Sequence, residues 1–567
     1  MIIYTIEFLP DVHQLNQAED NIVFLVEKRG DAISFKEVIF NLHVNIEDMP
    51  KYLIDAVISR EDKGFYDHHG VSLTGIARAI FKHHGGSGGS TITQQVARSL
   101  FLSTNRNYIR KVKEILLAIK IEIYYSKLEI LEMYLNNIYL GNGTRGVETA
   151  ARYYFSKRAK DLTLWEASLL VGSFPNPRKR NYKYHKDIAE RCAVDVIHKM
   201  KKHGFIENNE KIFKSIRKGK KVLYRTDHIC LFDAVVPEIK KISKIKNTKD
   251  GSLFVLTSFN PELQVYAELS IKKRLDTFKK LNVSEAAFIA LDTSGAIKAM
   301  VGSLDRKKST FNHAVQAKNQ MGSVFKPVVY LSAIENGWKM SRKISGKHIS
   351  VNGWSPKNNN HQYPSSITLE KALYSSCNTA TVRLMEKVGR KNIIKTAKKL
   401  GFNDSSLPDN PTLALGTGEA TLRDITKIYS VFASGGQKIS PYTINGIRDG
   451  YGTILYWRTA EKENVILDEK YVHDINKALR EVIQKGTGRK AAVKSVQVAG
   501  KTGTTQNNRD AWFVGFSAHL VAGVWLGNRD NSPMKNVSGS GLPAEIWSHF
   551  MTNAYYGLGL PKDKPLP

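Results

Sequence analysis

The sequence predicts two domains of different class, a nearly all-α domain followed by an α+β domain. From about residue 50 to 205, apolar residues recur every three or four positions, the spacing of helices with one buried face. Between 253 and 303 the spacing falls towards two, and further on helical stretches alternate with short apolar runs that indicate strands. We therefore expect the second domain to be a sheet with helices grouped against it.

The predicted elements divide the chain into five segments. "NIVFLVEKRGDAISF" near the start alternates in the manner of a hairpin. "LTLWEASLLVG" opens a helix with a threonine cap three residues before Glu166. "AAFIALDTSGAIKAMVGS" and "RDAWFVGFSAHLVAGVWLG" indicate paired strands of the second domain. The predicted boundaries are 1–50 for a β-rich lead-in, 51–205 for the helical domain, 206–252 for a basic linker, 253–555 for the α+β domain and 556–567 for a tail.

Charge and cysteine usage narrow the class of protein. The 567 residues carry a net charge of +31, which favours polyanionic partners such as acidic phospholipids or a phosphate-bearing substrate. No zinc-finger, helix-turn-helix or RNA-binding aromatic signature accompanies the charge, so we expect no nucleic-acid partner. The three cysteines lack metal-ligand spacing and form no disulfide framework. No stretch reaches the roughly 18 apolar residues of a membrane-spanning helix.

The first candidate catalytic residues lie in "SVFKPVVY" (323–330). Ser323 and Lys326 lie three apart, so on a helix they share a face, and a buried lysine that loses its proton can activate a serine. Met321 and Gly322 suit a loop-to-helix junction, where unpaired N–H groups could stabilise an oxyanion. The alternative is an ordinary amphipathic helix with two polar residues on its rim.

Two later stretches supply partners for this pair. In "SSCN" (375–378), Ser376 could relay a proton, and Asn378 stands near the start of a predicted helix. In "GKTGTT" (500–505), Lys501, Thr502 and Thr504 could hold a substrate carboxylate on a strand. Gly503 has no side chain to block an extended substrate along that strand.

The motifs SxxK, SxN and KTG, in this order, resemble the signature set of penicillin-binding proteins and serine β-lactamases. "TLALGTGEAT" (412–421) and the stretch from 500 to 528 are similar to the bifunctional class A penicillin-binding proteins. The resemblance implies a penicillin-binding/β-lactamase-like fold in which a D-Ala-D-Ala stem peptide acylates Ser323 and Lys326 is the base. It also implies an oxyanion hole made by the N–H groups of Ser323 and Thr504, and inhibition by β-lactam antibiotics.

The helical domain contains a second set of candidate residues. Glu61 and Asp62 in "REDKGFYDHHG" are either a hydrated helix face or catalytic carboxylates. "GGSTITQQVARSLFL" is a glycine-rich loop entering a helix, which suits a phosphate, and in "RKVKE" Arg110 and Glu114 share a helix face. Two glutamates with a cationic cradle suit glycosyl transfer from a sugar diphosphate. A hydrolase would use a similar carboxylate pair with water, but the cradle favours the transferase.

These stretches, with 126–157 and 162–182, resemble the peptidoglycan glycosyltransferases, whose fold is lysozyme-like. The resemblance implies that Glu61 activates the acceptor hydroxyl and that Glu114 acts with Arg110 and Lys111 near the donor pyrophosphate. The remaining residues expected to bind substrate are Ser90, Thr91, Gln95 and Lys127, which match cleft positions, and Arg98, which keeps the charge of the family's residue. The family usually has lysine and asparagine where this chain has Arg98 and Ser99.

The sequence as a whole predicts a bifunctional cell-wall synthase that polymerises lipid II and cross-links the nascent peptidoglycan. We expect no required cofactor, with Mg²⁺ or Mn²⁺ as a candidate aid to pyrophosphate departure. A membrane surface and cell-wall assembly proteins are candidate partners, and the expected location is the outer, periplasmic face of the bacterial inner or plasma membrane. Such synthases begin with a membrane-spanning helix, and we expect that start to be missing from the sequence as given; the alternative is that the chain is a peripheral or degenerate relative. A soluble penicillin-hydrolysing enzyme and a non-catalytic glycan-binding scaffold are the alternatives.

Overall fold

The computed structural model describes residues 21–567 except 30–31, 73–88, 102–107, 142–143, 156, 181, 183–184, 208–227, 243–251, 305–310, 360, 403–406, 450–453, 460–463 and 563. The chain forms two compact units. The first takes its described residues from 1–224, 242–257 and 445–457, and the second from 225–241, 258–444 and 458–567.

The helices of the described residues are, in chain order, α1 Lys51–Glu61, α2 Ile92–Phe101, α3 Tyr108–Tyr124, α4 Lys127–Asn137, α5 Val147–Phe155, α6 Leu164–Ser173, α7 Pro177–Arg180, α8 Lys186–Lys202, α9 His228–Lys241, α10 Pro261–Lys272, α11 Leu275–Lys280, α12 Lys326–Glu335, α13 Leu369–Tyr374, α14 Asn378–Val388, α15 Arg390–Lys399, α16 Leu422–Ala433, α17 Glu469–Gln484 and α18 Leu542–Gly557. None of them is both long and apolar enough to cross a membrane.

The strands of the described residues are β1 Asn21–Arg29, β2 Ala32–Asn41, β3 Ser252–Thr257, β4 Glu285–Asp292, β5 Ile297–Val301, β6 Asn319–Gln320, β7 Lys343–Ile344, β8 Ile367–Thr368, β9 Glu419–Ala420, β10 Ile444–Asp449, β11 Ile454–Trp457, β12 Ala499–Thr504, β13 Asp510–Phe516 and β14 Leu520–Gly527.

The helices of the first unit enclose an apolar core, as the three-to-four spacing predicts. Phe65, Phe155 and Trp165 are among its buried side chains, and α6 packs against α1 and α8. The predicted threonine cap is confirmed: Glu166 N–H donates to Thr163 Oγ1 at 3.2 Å, and Thr163 N–H donates to the Glu166 carboxylate at 2.8 Å. This capping box fixes where α6 begins.

The hairpin predicted for the lead-in is confirmed by the antiparallel pairing of β1 with β2. Strands from distant parts of the chain complete its sheet, in the order β11-β10-β3-β1-β2. The predicted boundary of 253–555 needs correction here, because β10 and β11 join the sheet of the lead-in and residues 445–457 belong to the first unit. Alternation identifies a strand but does not specify its partner, so the shared sheet could not be predicted.

A helix, α9, lies inside the segment expected to be a basic linker. Its apolar residues Cys230, Leu231, Val235 and Ile239 are buried, and it contacts β5 of the second unit. The linker was expected because lysine-rich runs flank this short amphipathic stretch and dominate its composition. Those runs lie largely outside the described residues.

The second unit is built on an antiparallel sheet in the order β12-β13-β14-β4-β5. Ala522, Val524 and Leu526 of β14 face a core that includes Trp547 and Phe550 of α18. The intervening Gly523 faces α16, because a Cβ there would lie 2.8 Å from Leu422 Cδ1. Helices therefore cover both faces of the sheet, and the predicted order of a mainly helical domain and an α+β domain is confirmed.

Candidate active sites

Ser323 lies in a tight turn at the start of α12. Residues 322–325 form one turn of 3-10 helix, and the amide of Gly322 donates to the carbonyl of Gly416 at 2.9 Å. Gly416 has a φ of 74°, and a Cβ there would overlap the carbonyl oxygen of Gly322. Glycine is therefore required where the "ALGTG" segment crosses and supports the turn.

The side chain of Lys326 is fully buried and contacts the "SCN" segment. Its Nζ donates to the carbonyl and to Oγ of Ser376, at 2.7 and 3.1 Å, and to Oδ1 of Asn378 at 2.6 Å. Burial lowers the pKa of Lys326 to about 7. A large share of this amine is therefore unprotonated at neutral pH, the state that can take a proton from Ser323, three residues away along the chain.

Ser376 joins two buried amines. Its Oγ lies 3.1 Å from Nζ of Lys326 and 3.1 Å from Nζ of Lys501. Burial and the neighbouring Lys326 together lower the pKa of Lys501 well below its ordinary value. Two ammonium groups this close repel each other, so one neutral amine is favoured. The Ser376 hydroxyl can donate to the neutral amine while it accepts from the charged one.

Asn358 positions the "SCN" segment and was missed by the sequence analysis. Its Oδ1 accepts from the backbone N–H of Asn378 at 2.7 Å and of Thr379 at 3.1 Å, at the start of α14. Its Nδ2 donates to Thr379 Oγ1 at 3.1 Å. Asn358 lies 20 residues before Asn378 in an irregular stretch, so no local pattern could have identified it.

The KTG motif lies on β12, an edge strand, beside the Ser323 turn. Thr487 and Thr502 share a hydrogen bond of 2.7 Å between their hydroxyls. The role expected of Gly503 needs correction. A Cβ there would lie 2.9 Å from Val324 Cγ1 and 3.1 Å from the Met321 carbonyl. Glycine at this position thus lets the strand pack against the turn, and protein atoms already fill the space that a side chain would occupy.

Ser323, Ser376, Thr502 and Thr504 line one cavity of about 770 Å³. Besides these four, its lining includes residues that no motif had indicated: Asn358, Tyr363, Lys371, Thr487, Ser538 and Ser540. A Cβ on Gly322 would lie 3.4 Å from the backbone nitrogen of Thr504. The backbone of Thr504 therefore lies beside the nucleophile turn.

In the first unit, Glu61 is the last residue of α1 and is held by polar neighbours. Gln95 donates from Nε2 to its Oε2 at 3.1 Å, and Arg60 Nε lies 3.7 Å from its Oε1. Tyr134 in turn donates to Gln95 at 3.4 Å. The Glu61 side chain is 16% exposed, so it can meet a substrate while its orientation is fixed.

Glu114 lies in a cationic cluster, and the predicted contact across one helical turn is confirmed. Arg110 donates to its Oε2 at 2.9 Å, and Lys111 donates to its Oε1 at 2.5 Å. Lys111 also donates to Ser90 Oγ at 2.9 Å. Two cations face one carboxylate, so the cluster keeps a net positive charge. The start of α2 therefore contacts Glu61 through Gln95, and it contacts the Glu114 cluster through the hydrogen bond between Ser90 and Lys111.

Thr91 and Asp62, which were also predicted for this site, form hydrogen bonds within the protein at the start of α2. Thr91 is buried and caps α2, accepting from Gln94 N–H at 3.1 Å and donating to the Gly70 carbonyl at 2.6 Å. Asp62 likewise accepts from the N–H of Ile92 at 2.9 Å. Internal partners therefore occupy both side chains.

Lys127 pairs with Glu122 at 2.8 Å and lies over the Phe65 ring. Arg98 is exposed and forms no ion pair with a described residue. The glycine-rich loop before residue 89 lies outside the described residues.

Comparison with known proteins decides the family. The transglycosylase family model matches residues 34–201, and the penicillin-binding protein transpeptidase model matches residues 286–526. Penicillin-binding protein 1A of Aquifex aeolicus is 34% identical over 603 residues, which cover 90% of this chain and 83% of that protein. The chain belongs to the bifunctional class A penicillin-binding proteins. Penicillin-binding protein 1B of Vibrio cholerae is 32% identical, covering 88% of this chain and 67% of that protein.

Solved structures agree with the fold of a class A penicillin-binding protein. Penicillin-binding protein 1A of Haemophilus influenzae has a TM-score of 0.53 at 20% identity, over 93% of this chain and 90% of that one. PonA1 of Mycobacterium tuberculosis, in complex with penicillin V, has a TM-score of 0.54 at 25% identity, over 60% of this chain and 96% of that one.

As a class A penicillin-binding protein, the chain is a membrane-associated cell-wall enzyme with glycosyltransferase and transpeptidase activity. The relatives favour neither the soluble hydrolase nor the scaffold.

Proposed function

We propose that cross-linking proceeds through an ester on Ser323, with Lys326 as the base. The observation that carries this proposal is the buried Lys326 amine, whose pKa is lowered to about 7, directly after the serine turn. Lys326 takes the Ser323 proton as Oγ bonds to the carbonyl carbon of the penultimate D-alanine. The C–N bond then breaks, and the terminal D-alanine leaves with a proton relayed through Ser376. An acceptor amine subsequently displaces the serine.

The donor peptide is proposed to lie along β12. The N–H groups of Ser323 and Thr504 stabilise the oxyanion, a role supported by the closeness of the Thr504 backbone to Gly322. Thr502 and Thr487 bind the terminal carboxylate, while the buried Lys501 contributes positive potential and fixes Ser376. A β-lactam would occupy the same cavity and acylate Ser323.

Glycosyl transfer is proposed to use Glu61 as the base for the acceptor sugar hydroxyl of lipid II. That oxygen bonds to the donor anomeric carbon as the bond to pyrophosphate breaks, with inversion. Arg110 and Lys111, whose charge exceeds that of Glu114, stabilise the departing pyrophosphate with help from Ser90 and the exposed Arg98. Gln95 orients Glu61, and Thr91 and Lys127 support the cleft wall.

We propose no resident metal ion for this step. Among the described residues, no group of three or more His, Cys, Asp or Glu side chains could hold one, and Arg110 and Lys111 already occupy Glu114. These residues do not fit a Mg²⁺ or Mn²⁺ site, so no step is derived through a metal. Nucleic acid is not a proposed partner, and no surface is assigned to cell-wall assembly proteins.

The proposed membrane contact is an apolar face of α3, at the outer face of the bacterial plasma or inner membrane. Val112, Ile119 and Ile123 are 56%, 37% and 65% exposed, and their spacing of seven and four puts them on one side of the helix. The net charge of +31 suits an acidic phospholipid surface, on which the lipid-linked substrate also lies. The sequence offers a second candidate for membrane contact in the apolar stretch "LTGIARAIF" (73–81), which lies outside the described residues.

Replacing Ile119 and Ile123 together with glutamate is expected to weaken binding to vesicles containing anionic phospholipid by at least about tenfold, since two apolar side chains lose their burial. Vesicle sedimentation measures the effect. Val465→Glu is the control, because it adds a charge at an exposed apolar residue of the second unit. An equal loss in the control, or none in the double variant, would contradict the proposed face.

The overall function is tested with fluorescent lipid II. The protein is expected to produce glycan polymer that becomes cross-linked, and penicillin V should prevent only the cross-linking while leaving a covalent adduct on Ser323, detected by peptide mass spectrometry. Polymerisation should proceed equally with EDTA. An adduct that is rapidly hydrolysed would indicate a hydrolase, and no polymer or adduct would indicate a scaffold.

A further inference from the structure

Two arginines of the first unit, Arg145 and Arg448, belong to neither set of catalytic residues and lack the partners that buried cations normally have. Arg448 is only 8% exposed, and its Nε has no hydrogen-bond partner. Arg145, in the segment between α4 and α5, is partly buried. Neither guanidinium forms an ion pair or a hydrogen bond with a described residue. Because a buried charge without a counter-ion destabilises a fold, an anion from outside the chain would complete this pair.

The fold places the two arginines at the same end of the first unit's sheet. The Thr257 hydroxyl donates to the Ile22 carbonyl, and Asn445 Nδ2 donates to the Thr257 carbonyl at 3.2 Å, so β1, β3 and β10 meet at this end. Leu42, which directly follows β2, donates its N–H to Thr149 Oγ1 of α5 at 2.9 Å. One arginine is three residues from Asn445 and the other is four residues from Thr149, so both lie near the junction of α5 with the sheet.

The positive charges of the two guanidinium groups act on each other. Burial and the charge of Arg448 lower the pKa of Arg145 to about 9, and burial also lowers the pKa of Arg448. No carboxylate contributes to either pKa shift. Both arginines remain protonated at neutral pH, so two positive charges that repel each other are held together. An anion between them would relieve the repulsion.

Local structure holds both arginines in place without using their N–H donors. The backbone of Arg145 forms a short antiparallel β-bridge with Tyr139. The guanidinium carbon of Arg448 lies 5.9 Å from the centre of the Trp457 ring, which is within the range of a cation–π interaction. Stacking on a ring orients the guanidinium of Arg448 but leaves its N–H groups without acceptors. The donors of both side chains are therefore available to a ligand.

The chemistry of the pair favours phosphate. A guanidinium group presents paired N–H donors that match phosphate oxygens, and two such groups balance the charge of a phosphate monoester at neutral pH, whereas a carboxylate would balance only one. We propose that Arg145 and Arg448 bind a phosphate group at a site of their own, formed without the cations Arg110 and Lys111 that surround Glu114. The partial exposure of Arg145 lets either a soluble phosphate ester or a lipid head group reach the pair.

The first test titrates glycerol 3-phosphate into the full chain and measures binding by calorimetry. Arg145→Gln and Arg448→Gln are each expected to weaken one binding step by at least about tenfold, because a charged pair of donors is lost. Arg191→Gln, at an exposed position of α8, removes the same charge and is the matched control. Arg110→Gln should keep the step that Arg145→Gln loses. An equal loss in Arg191→Gln, or loss of all binding in Arg110→Gln alone, would overturn the site.

Thermal unfolding distinguishes a ligand site from a structural role. In buffer without phosphate, Arg145→Gln relieves the repulsion, so the unfolding midpoint of the first unit should be unchanged or higher than in the wild type. Glycerol 3-phosphate should raise the midpoint of the wild type more than that of the variant, because only the wild type retains the site. A lower midpoint for Arg145→Gln in phosphate-free buffer would show that the arginine supports the fold, and would overturn the proposal.

Vesicles distinguish the two sources of the phosphate group. Sedimentation compares vesicles of phosphatidylcholine with and without phosphatidic acid. If the ligand is a lipid head group, Arg145→Gln should weaken binding to the phosphatidic acid vesicles by about fivefold or more, the effect of one basic residue at a surface, and Arg191→Gln should weaken it less. If the ligand is soluble, only the calorimetric titration should change. No effect of Arg145→Gln in either assay would overturn the site.

Discussion

Replacing Lys326 with methionine is expected to slow the acylation of Ser323 by penicillin V by about 10²- to 10⁴-fold, the range of general-base contributions. Methionine keeps an unbranched side chain in the fully buried position but cannot accept a proton. The rate constant is measured by quenching at short times and quantifying the adduct on Ser323.

The pH profile identifies the base more directly. Burial lowers the pKa of Lys326 to about 7, so the amine is protonated and inactive below that pH and free above it. The wild-type acylation rate should rise about tenfold per pH unit below 7 and level off above it, and Lys326→Met should lack this step. Lys339→Met, an exposed lysine just beyond α12, is the control and should keep the wild-type profile. If the wild-type acylation rate did not change with pH, a group other than Lys326 would have to accept the proton of Ser323.

The transpeptidase residues were predictable because short motifs carry both their chemistry and their local geometry. Three motifs, up to 178 positions apart, each specify a turn, a helix start or a strand, and the fold brings Lys326, Ser376 and Lys501 together. The sequence did not indicate that Lys501 would be fully buried and bonded to Ser376. Burial depends on the packing of whole elements, which a motif does not encode.

Long-range pairing accounts for most of what the sequence could not predict. Asn358 supports the "SCN" segment through backbone hydrogen bonds that any nearby amide could make, so its position had no signature. The first unit's sheet joins β1 to strands more than 200 residues away. In contrast, Arg110 and Glu114, and Thr163 and Glu166, were predicted correctly because helix geometry alone determines contacts across one turn.

Replacing Glu61 with glutamine is expected to lower the rate of lipid II polymerisation by about 10²- to 10⁴-fold, because the acceptor hydroxyl loses its base. Glutamine can still accept the hydrogen bond from Gln95 Nε2, so the cleft should keep its shape. The measurement follows the length of fluorescent glycan polymer with penicillin V present, so that cross-linking does not alter the product. Penicillin labelling of Ser323 should persist, since the second unit is unchanged.

Asp195→Asn is the matched control, because Arg60 lies within ion-pair distance of both Glu61, at 3.7 Å, and Asp195, at 3.1 Å. If losing a partner of Arg60 were the cause, Asp195→Asn would lower polymerisation as much as Glu61→Gln. Asp62→Asn tests a third explanation, that the cleft has lost its structure. Asp62 anchors the start of α2, so its replacement should reduce the thermal stability of the first unit as well as the polymerisation rate. If Glu61→Gln polymerised lipid II at the wild-type rate and with unchanged thermal stability, the base would have to be another carboxylate. Asp62 would be the first to examine.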